Sequence, residues 1–158
     1  MQNHKEESIF EYSKITPNIY IGTSQCCQTQ FKLELIKKGI KADISLEEIR
    51  VDHPYGVDYY LWLPTKDHEA PTMKQMIVGT YFIKWLIENN IKVYIHCRQG
   101  HTRAPTLSAA YFILEGMDVA DAIKKIKSKR PSAHLTHSQI KALKKFKEYI
   151  EKKRKNAI

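Results

Sequence analysis

Residues 92–104 read Lys92-Val93-Tyr94-Ile95-His96-Cys97-Arg98-Gln99-Gly100-His101-Thr102-Arg103-Ala104. The β-branched and aromatic centre of Lys92–His96 predicts a strand. It runs straight into a polar loop, Cys97 to Arg103, and a helical pattern over 104–116 follows. A loop at the C-terminal edge of a parallel strand, opening a helix, is a natural place for a phosphate. Its backbone N–H groups can point inward, and the helix dipole favours negative charge. A cysteine at the start of that loop feels the same field, which favours its thiolate. Arg103, six positions later, returns to the loop mouth with a planar fork able to hold two phosphate oxygens. A nucleophile and an oxyanion clamp then face one phosphorus.

Outward from this unit, strands are expected at 18–22, 42–46 and 59–63, the last apolar enough to be covered on both faces. A helix is expected over 23–38, ended by Gly39. Another runs over 72–89 from the capping box Thr72–Gln75, with Met73, Met76, Ile77, Tyr81 and Trp85 as its buried side. Two more are expected at 118–129 and from Thr136, the last with its own capping box to Gln139 and a core stripe of Ile140, Leu143, Phe146 and Ile150. Strands separated by helices in this order imply an α/β fold: a single domain with a central, mostly parallel sheet and helices on both faces. The expected boundaries are a loose lead-in over 1–14, the domain over 15–151 and a basic tail over 152–158.

The 158 residues, 42% hydrophobic, suit one domain with a real core. The 26 Lys+Arg against 17 Asp+Glu leave +9, which points to an anionic partner without choosing one. Nucleic acid is not the expected choice, since no aromatic-and-basic surface motif occurs. Cys26, Cys27 and Cys97 make neither a disulfide framework nor a zinc ribbon, so a reduced, cytoplasmic protein is expected. The N-terminus lacks the apolar core of a signal peptide. The longest apolar run, Met76 to Ile83, stops at Lys84, far short of a bilayer, so a soluble chain is expected. Cys97, His101, His134 and His137 are ligand types for zinc, but their spacing fits no known finger. Neither metal nor cofactor is expected.

The Cys-x5-Arg spacing alone is roughly a one-in-ten accident for three cysteines. The context is what gives it weight. His96-Cys97-x5-Arg103 resembles the HCx5R signature of the cysteine-dependent protein tyrosine phosphatase superfamily. The likeness extends along residues 15–150. Ile15-Thr16-Pro17-Asn18-Ile19-Tyr20-Ile21-Gly22 resembles the opening strand of the compact dual-specificity branch. Leu63-Pro64-Thr65-Lys66-Asp67-His68-Glu69-Ala70-Pro71 resembles its general-acid loop, and Arg130-Pro131 the turn before its last helix. The resemblance implies a two-step reaction on phosphate monoesters of proteins: phosphotyrosine, with phosphoserine and phosphothreonine as further substrates. Cys97 attacks phosphorus, while Arg98, Gln99, Gly100, His101, Thr102 and Arg103 form the phosphate-binding loop. Asp67 protonates the leaving oxygen and then activates water. Asp58 and Glu69 are the rival acids. His96 is expected to support the loop through a hydrogen bond.

Two loop positions depart from the family pattern. Ala104 stands where Ser or Thr usually follows the arginine, and that hydroxyl helps the sulfur leave in the second step. Thr102, where glycine is common, offers a replacement hydroxyl of unknown direction. Arg98 and His101 put basic side chains where phosphoinositide and phosphatidylglycerophosphate phosphatases often carry Lys or Arg, so a phospholipid headgroup is the alternative substrate. Cys26 and Cys27 read as two helix-buried thiols, with a redox relay to Cys97 as the other reading.

Overall fold

Alternation along the strands divides the buried side chains into two groups. The computed structural model describes residues 9–157. Among them, one five-stranded sheet has the order β1 (Tyr12–Lys14), β2 (Ile19–Gly22), β5 (Lys92–His96), β3 (Ile40–Ser45) and β4 (Tyr59–Trp62). The β1–β2 pair is antiparallel, and the other pairs are parallel. Ile19, Ile21, Ala42, Ile44, Val93 and Ile95 join the larger core. Tyr20 and Tyr94 face the other way, against Cys26, Cys27, Phe31 and Leu35.

The larger core is closed by α2 (Met73–Glu88), α3 (Arg103–Leu114), α4 (Val119–Lys129) and α5 (His137–Asn156). The smaller one is closed by a 3-10 turn, Ser24–Cys26, and the short α1 (Leu33–Lys37). Every residue of α3 is buried, which its run of Ala, Leu, Phe and Ile around the whole helix allows. Both capping boxes form, at Thr72–Gln75 and Thr136–Gln139. The last residues of three strands lie level, Gly22 and Ser45 each beside His96. The loop after β5 therefore leaves from the middle of the sheet's C-terminal edge.

Several expectations need correction. The end of the lead-in is not loose: Tyr12–Lys14 form β1, while residues 1–8 lie outside the described part. The expected helix over 23–38 is broken into the 3-10 turn and α1. The amide of Phe31 donates to Tyr55 O (3.0 Å) and that of His53 to Cys27 O (2.9 Å), so long-range pairing replaces helical hydrogen bonds. The strand β4 is an edge strand, half-buried rather than covered on both faces. Its aromatic residues serve that edge: Tyr59 packs on Trp85 and Trp62 Nε1 donates to Glu47 O (2.6 Å). On α2 the buried face is Met76, Gly79, Thr80, Ile83 and Leu86, whereas Tyr81 and Trp85 are exposed. Gly79 marks a close contact with Leu107 of α3 that a search for large apolar residues overlooks. The basic stretch from Lys152 is no tail either. It continues α5 to Asn156, where cations complement the helix dipole.

Gly22 ends β2 where there is no room for a side chain. A Cβ there would lie 2.6 Å from Glu11 O and 2.7 Å from Tyr12 Cβ, and would run into the Tyr94 hydroxyl. Gly22→Ala is expected to destabilise the fold by about 1–3 kcal/mol through overpacking. Urea unfolding should show a lower midpoint with an unchanged slope; an unchanged midpoint would contradict the close approach.

Candidate active site

Consecutive strand residues point to opposite faces, so the end of β5 separates two chemistries. His96 turns toward the smaller core, and Cys97 belongs to the larger one. Beyond Cys97 the chain coils tightly before α3 begins at Arg103. Gly100 makes this coil. Its φ is +69°, and a Cβ would sit 2.6 Å from Gly22 O and 2.8 Å from an Arg130 nitrogen.

Arg130, the residue before Pro131, holds the loop from behind. Its buried guanidinium donates to Gly100 O from Nε (2.7 Å) and to Gln99 O from Nη2 (2.9 Å). The same fork reaches β1, donating to Ser13 Oγ (3.0 Å) and to the Glu11 carboxylate (2.7 Å). The sequence flagged Arg130 only as part of a turn. A lone arginine before proline, amid exposed-looking lysines, gave no sign of burial.

Arg103 is buried at the helix start. Its Nη1 donates to Thr65 O (2.9 Å) and Leu46 O (3.2 Å) and lies 3.5 Å from the buried Glu47 carboxylate. Its Nε makes no hydrogen bond and lies 3.5 Å from Asp67 Oδ1. Glu47 is a residue that sequence reasoning missed, an acid two places beyond β3 whose only mark was its position after a strand end. Asp67 sits on the exposed loop between β4 and α2 and accepts from the His68 amide (2.9 Å). That loop is tied down on both sides: Gln75 Nε2 donates to Pro64 O, Thr136 Oγ1 to His68 O, and Gln139 Nε2 to Glu69 O. His68 itself takes φ +64°, a strained setting for a residue other than glycine, held by these contacts.

These elements enclose a cleft of about 150 Å³, lined by Asp67, His68, Cys97, Arg98, Gln99, His101, Thr102, Arg103 and His134. Cys97, Arg103, Asp67 and the loop residues other than Gly100 are thus among its walls. Of the rival acids, Glu69 pairs with Lys66 in solvent, and Asp58 lies beside a different hollow near 52–60. Neither lines the cleft. Thr102 is buried in its wall and makes no capping hydrogen bond. His134 packs against His101, their ring centres 5.5 Å apart. Burial, with Arg130 and His134 nearby, lowers the His101 pKa from its usual value. Among the described residues, Cys97, His101, His134 and His137 are not gathered as a metal-binding group.

His96 differs most from expectation. It is fully buried, its Nδ1 has no hydrogen-bond partner, and its Nε2 faces Asp52 (2.9 Å), Asp43 (3.3 Å) and Cys27 Sγ (3.5 Å) rather than the loop. Desolvation pulls its pKa down, but the two carboxylates outweigh that and raise it to about 10. The support it gives the loop after β5 comes through the strand: its carbonyl accepts from Leu46 N (2.8 Å). Cys26 and Cys27 are both buried, in the 3-10 turn and the residue after it rather than in a helix, with their sulfurs at bonding separation.

Comparison with known proteins gives a consistent result. Residues 19–149 match the family "Dual specificity phosphatase, catalytic domain". Tyrosine-protein phosphatase yvh1 of Schizosaccharomyces pombe is 28% identical over 132 residues, covering 80% of this chain but only 38% of yvh1. The putative tyrosine phosphatase 123R of Invertebrate iridescent virus 6 is 26% identical over 147 residues, 89% of this chain and 94% of the viral protein. Among solved structures, human DUSP28 superposes with TM-score 0.80 at 17% identity, covering 89% of this chain and 99% of that one. PTPMT1 gives 0.78 at 22% identity, with 92% and 99% covered. Since the matched stretch takes in the four parallel strands, the cysteine loop and most of α5, the chain belongs to the dual-specificity phosphatases through their catalytic domain.

Proposed function

We propose that this chain hydrolyses phosphate monoesters carried by proteins, phosphotyrosine first and phosphoserine or phosphothreonine with it, through a phosphocysteine on Cys97. The observation that carries this reading is the shared cleft: a thiol, a buried guanidinium and a carboxyl group line one small cavity at the N-terminus of α3. In the first step the Cys97 sulfur attacks phosphorus, and the bond to the leaving oxygen breaks as Asp67 gives that oxygen its proton. Arg103, the loop amides and the dipole of α3 hold the three equatorial oxygens, where charge builds up. In the second step Asp67 takes a proton from water, which displaces the sulfur and releases inorganic phosphate. A thiol that must stay reduced fits a cytoplasmic setting. No helix among the described residues is long and apolar enough to cross a membrane.

A second reading, a phospholipid headgroup, is favoured by Arg98. It lines the cleft and also a neighbouring hollow of about 400 Å³ that includes Arg50. PTPMT1, 21% identical with TM-score 0.76, has been solved in complex with PI(5)P. Against this, burial with Arg130 and His134 nearby lowers the His101 pKa and so disfavours a cation at the fifth loop position. At the two loop positions where phospholipid phosphatases often carry Lys or Arg, only Arg98 is a permanent cation, which keeps the protein substrate ahead. Phosphate release from phosphotyrosine and phosphothreonine peptides, set against soluble phosphoinositides, separates the two readings. A higher kcat/KM on phosphoinositides would reverse their order.

Three outcomes are expected of the chemistry. With a small aryl phosphate, Cys97→Ser should have no activity above background, and Asp67→Asn should lose roughly 10²–10⁴-fold in kcat. Full activity of Cys97→Ser would overturn the mechanism. Ala104 supplies no hydroxyl to assist departure of the sulfur, so rapid mixing should reveal a product burst approaching one per active site. Ala104→Ser should shrink that burst by speeding the second step; a linear wild-type time course would count against it. Arg130→Met should release the Gln99 and Gly100 carbonyls and lower kcat by about 10²-fold, the cost of a small misplacement. Circular dichroism should show the fold retained, and an unchanged kcat would mean that the loop holds its shape unaided.

A further inference from the structure

Behind the catalytic loop, on the far face of the sheet, lies a second group of reactive side chains that phosphoryl transfer does not use. Cys26 and Cys27 come from the turn after β2, Asp43 from the middle of β3 and His96 from the end of β5. All four are fully buried, and one ligand atom of each lies within 4.8 Å of every other. A buried Asp52 side chain adds a second carboxylate.

This group has too many acceptors and too few donors. His96 Nε2 faces Asp52, Asp43 and Cys27 Sγ at 2.9, 3.3 and 3.5 Å, and a single N–H cannot serve three acceptors. Asp52 and Asp43 reach that one nitrogen as ion pairs, but none of their four buried oxygens makes a well-formed hydrogen bond. Buried carboxylates that share so few donors are costly in a protein interior. The separations are informative. Around a tetrahedral zinc with bonds of about 2.0–2.1 Å to nitrogen or oxygen and 2.3 Å to sulfur, neighbouring N and O ligands lie about 3.3 Å apart, and N and S about 3.5 Å. The Asp43–His96 and Cys27–His96 distances are 3.3 and 3.5 Å.

We propose that the reduced chain holds one divalent cation of the zinc class here, through Sγ of Cys26 and Cys27, Nε2 of His96 and a carboxylate oxygen of Asp43. Binding replaces the bond between the two sulfurs with two metal–thiolate bonds. That requires two electrons from a thiol or phosphine reductant, and the two thiols so formed give up their protons as the metal binds. Asp52, 2.9 Å from His96 Nε2, stands beside the four ligands rather than among them. The ion joins the turn after β2 to β3 and β5 directly beneath Cys97, so it would fix the base of the catalytic loop from the face opposite the substrate. Burial on all sides means that it enters as the chain folds.

The test is metal analysis of the whole chain, expressed in zinc-replete medium and purified with a phosphine reductant and no chelator. Wild type and Cys97→Ser should each carry about one zinc per chain, the second variant showing that the ion is not on the catalytic thiol. Cys26→Ser/Cys27→Ser and, separately, Asp43→Asn should lose at least tenfold in bound zinc. Should those variants fold poorly, wild type grown with cobalt keeps the proposal testable. Thiolate-to-cobalt charge-transfer absorption, with the intense visible bands of a tetrahedral ion, is expected. Zinc-free, cobalt-free wild type overturns the proposal, as does a double-cysteine variant that keeps its zinc. A Cys26–Cys27 disulfide that persists in full under the reductant overturns it as well.

Discussion

The two-residue period of one strand governs this molecule. The strand β5 lies in the middle of the sheet, paired on both sides, and its last residue is level with the ends of β2 and β3. Its register is fixed by the larger core, which holds Val93 and Ile95, and by the smaller core, which holds Tyr94. Slipping by one residue would exchange the two sets, so the register is strongly specified. His96 must then face the smaller core and Cys97 the other side. The adjacent pair is thus two separate environments, a buried polar cluster on one face and a phosphate-sized cleft on the other.

A coil as tight as the loop after β5 does not hold itself. Each strand supplies a tie at or near it. Near β1, Ser13 and Glu11 accept from Arg130, which grips the carbonyls of Gln99 and Gly100. At the end of β2, the Gly22 carbonyl lies so close to Gly100 that only a residue without a Cβ fits there. Beyond β3 and β4, the carbonyls of Leu46 and Thr65 accept from Arg103. Hydrogen bonds from a charged donor contribute about 1.5–3 kcal/mol each, more than neutral ones. Two arginines therefore organise the site in different ways: Arg103 is anchored by one nitrogen at the wall of the cleft, and Arg130 is wholly engaged behind it.

What could be read from the sequence follows from the range of the forces involved. Local signals were faithful: both capping boxes, the strand at Lys92–His96, and the glycine-containing loop between Cys97 and Arg103. Signals that depend on distant chain were not. Tyr12–Lys14 is too short and polar to announce a strand, and it is one because β2 needs a neighbour on its outer side. The helix over 23–38 had the right periodicity but lost its middle to hydrogen bonds with residues 53 and 55. On α2 the deciding positions are the small buried residues Gly79 and Thr80, Gly79 lying against Leu107 of α3, where pattern reading sought large ones. In the site, Cys97 and Arg103 follow from the Cys-x5-Arg spacing in its strand–loop–helix context, and Asp67 only from the family resemblance of residues 63–71. Glu47 and Arg130 act across 56 and 30 positions of chain, toward Arg103 and Gly100, and no local pattern encodes that.

The +9 charge also takes on a different meaning once it is placed in space. Much of the excess lies on α5: Lys141, Lys144, Lys145, Lys147, Lys152, Lys153, Arg154 and Lys155, against Glu148 and Glu151. The N-terminus of that helix reaches the acid loop, where Thr136 Oγ1 donates to His68 O. A helix rises about 1.5 Å per residue, so the last basic cluster lies about 23–27 Å further on. Salt screens exposed charges over about 8 Å at physiological ionic strength, so those cations act across roughly three screening lengths. They cannot draw a phosphate into the cleft with any force. Closer to the cleft stand Arg98 and Arg103, which line it, and the N-terminal end of α3, with Arg130 held behind the loop by Glu11. On the proposed function, the hold on phosphate would then rest on one loop and one helix terminus rather than on the net charge of the chain.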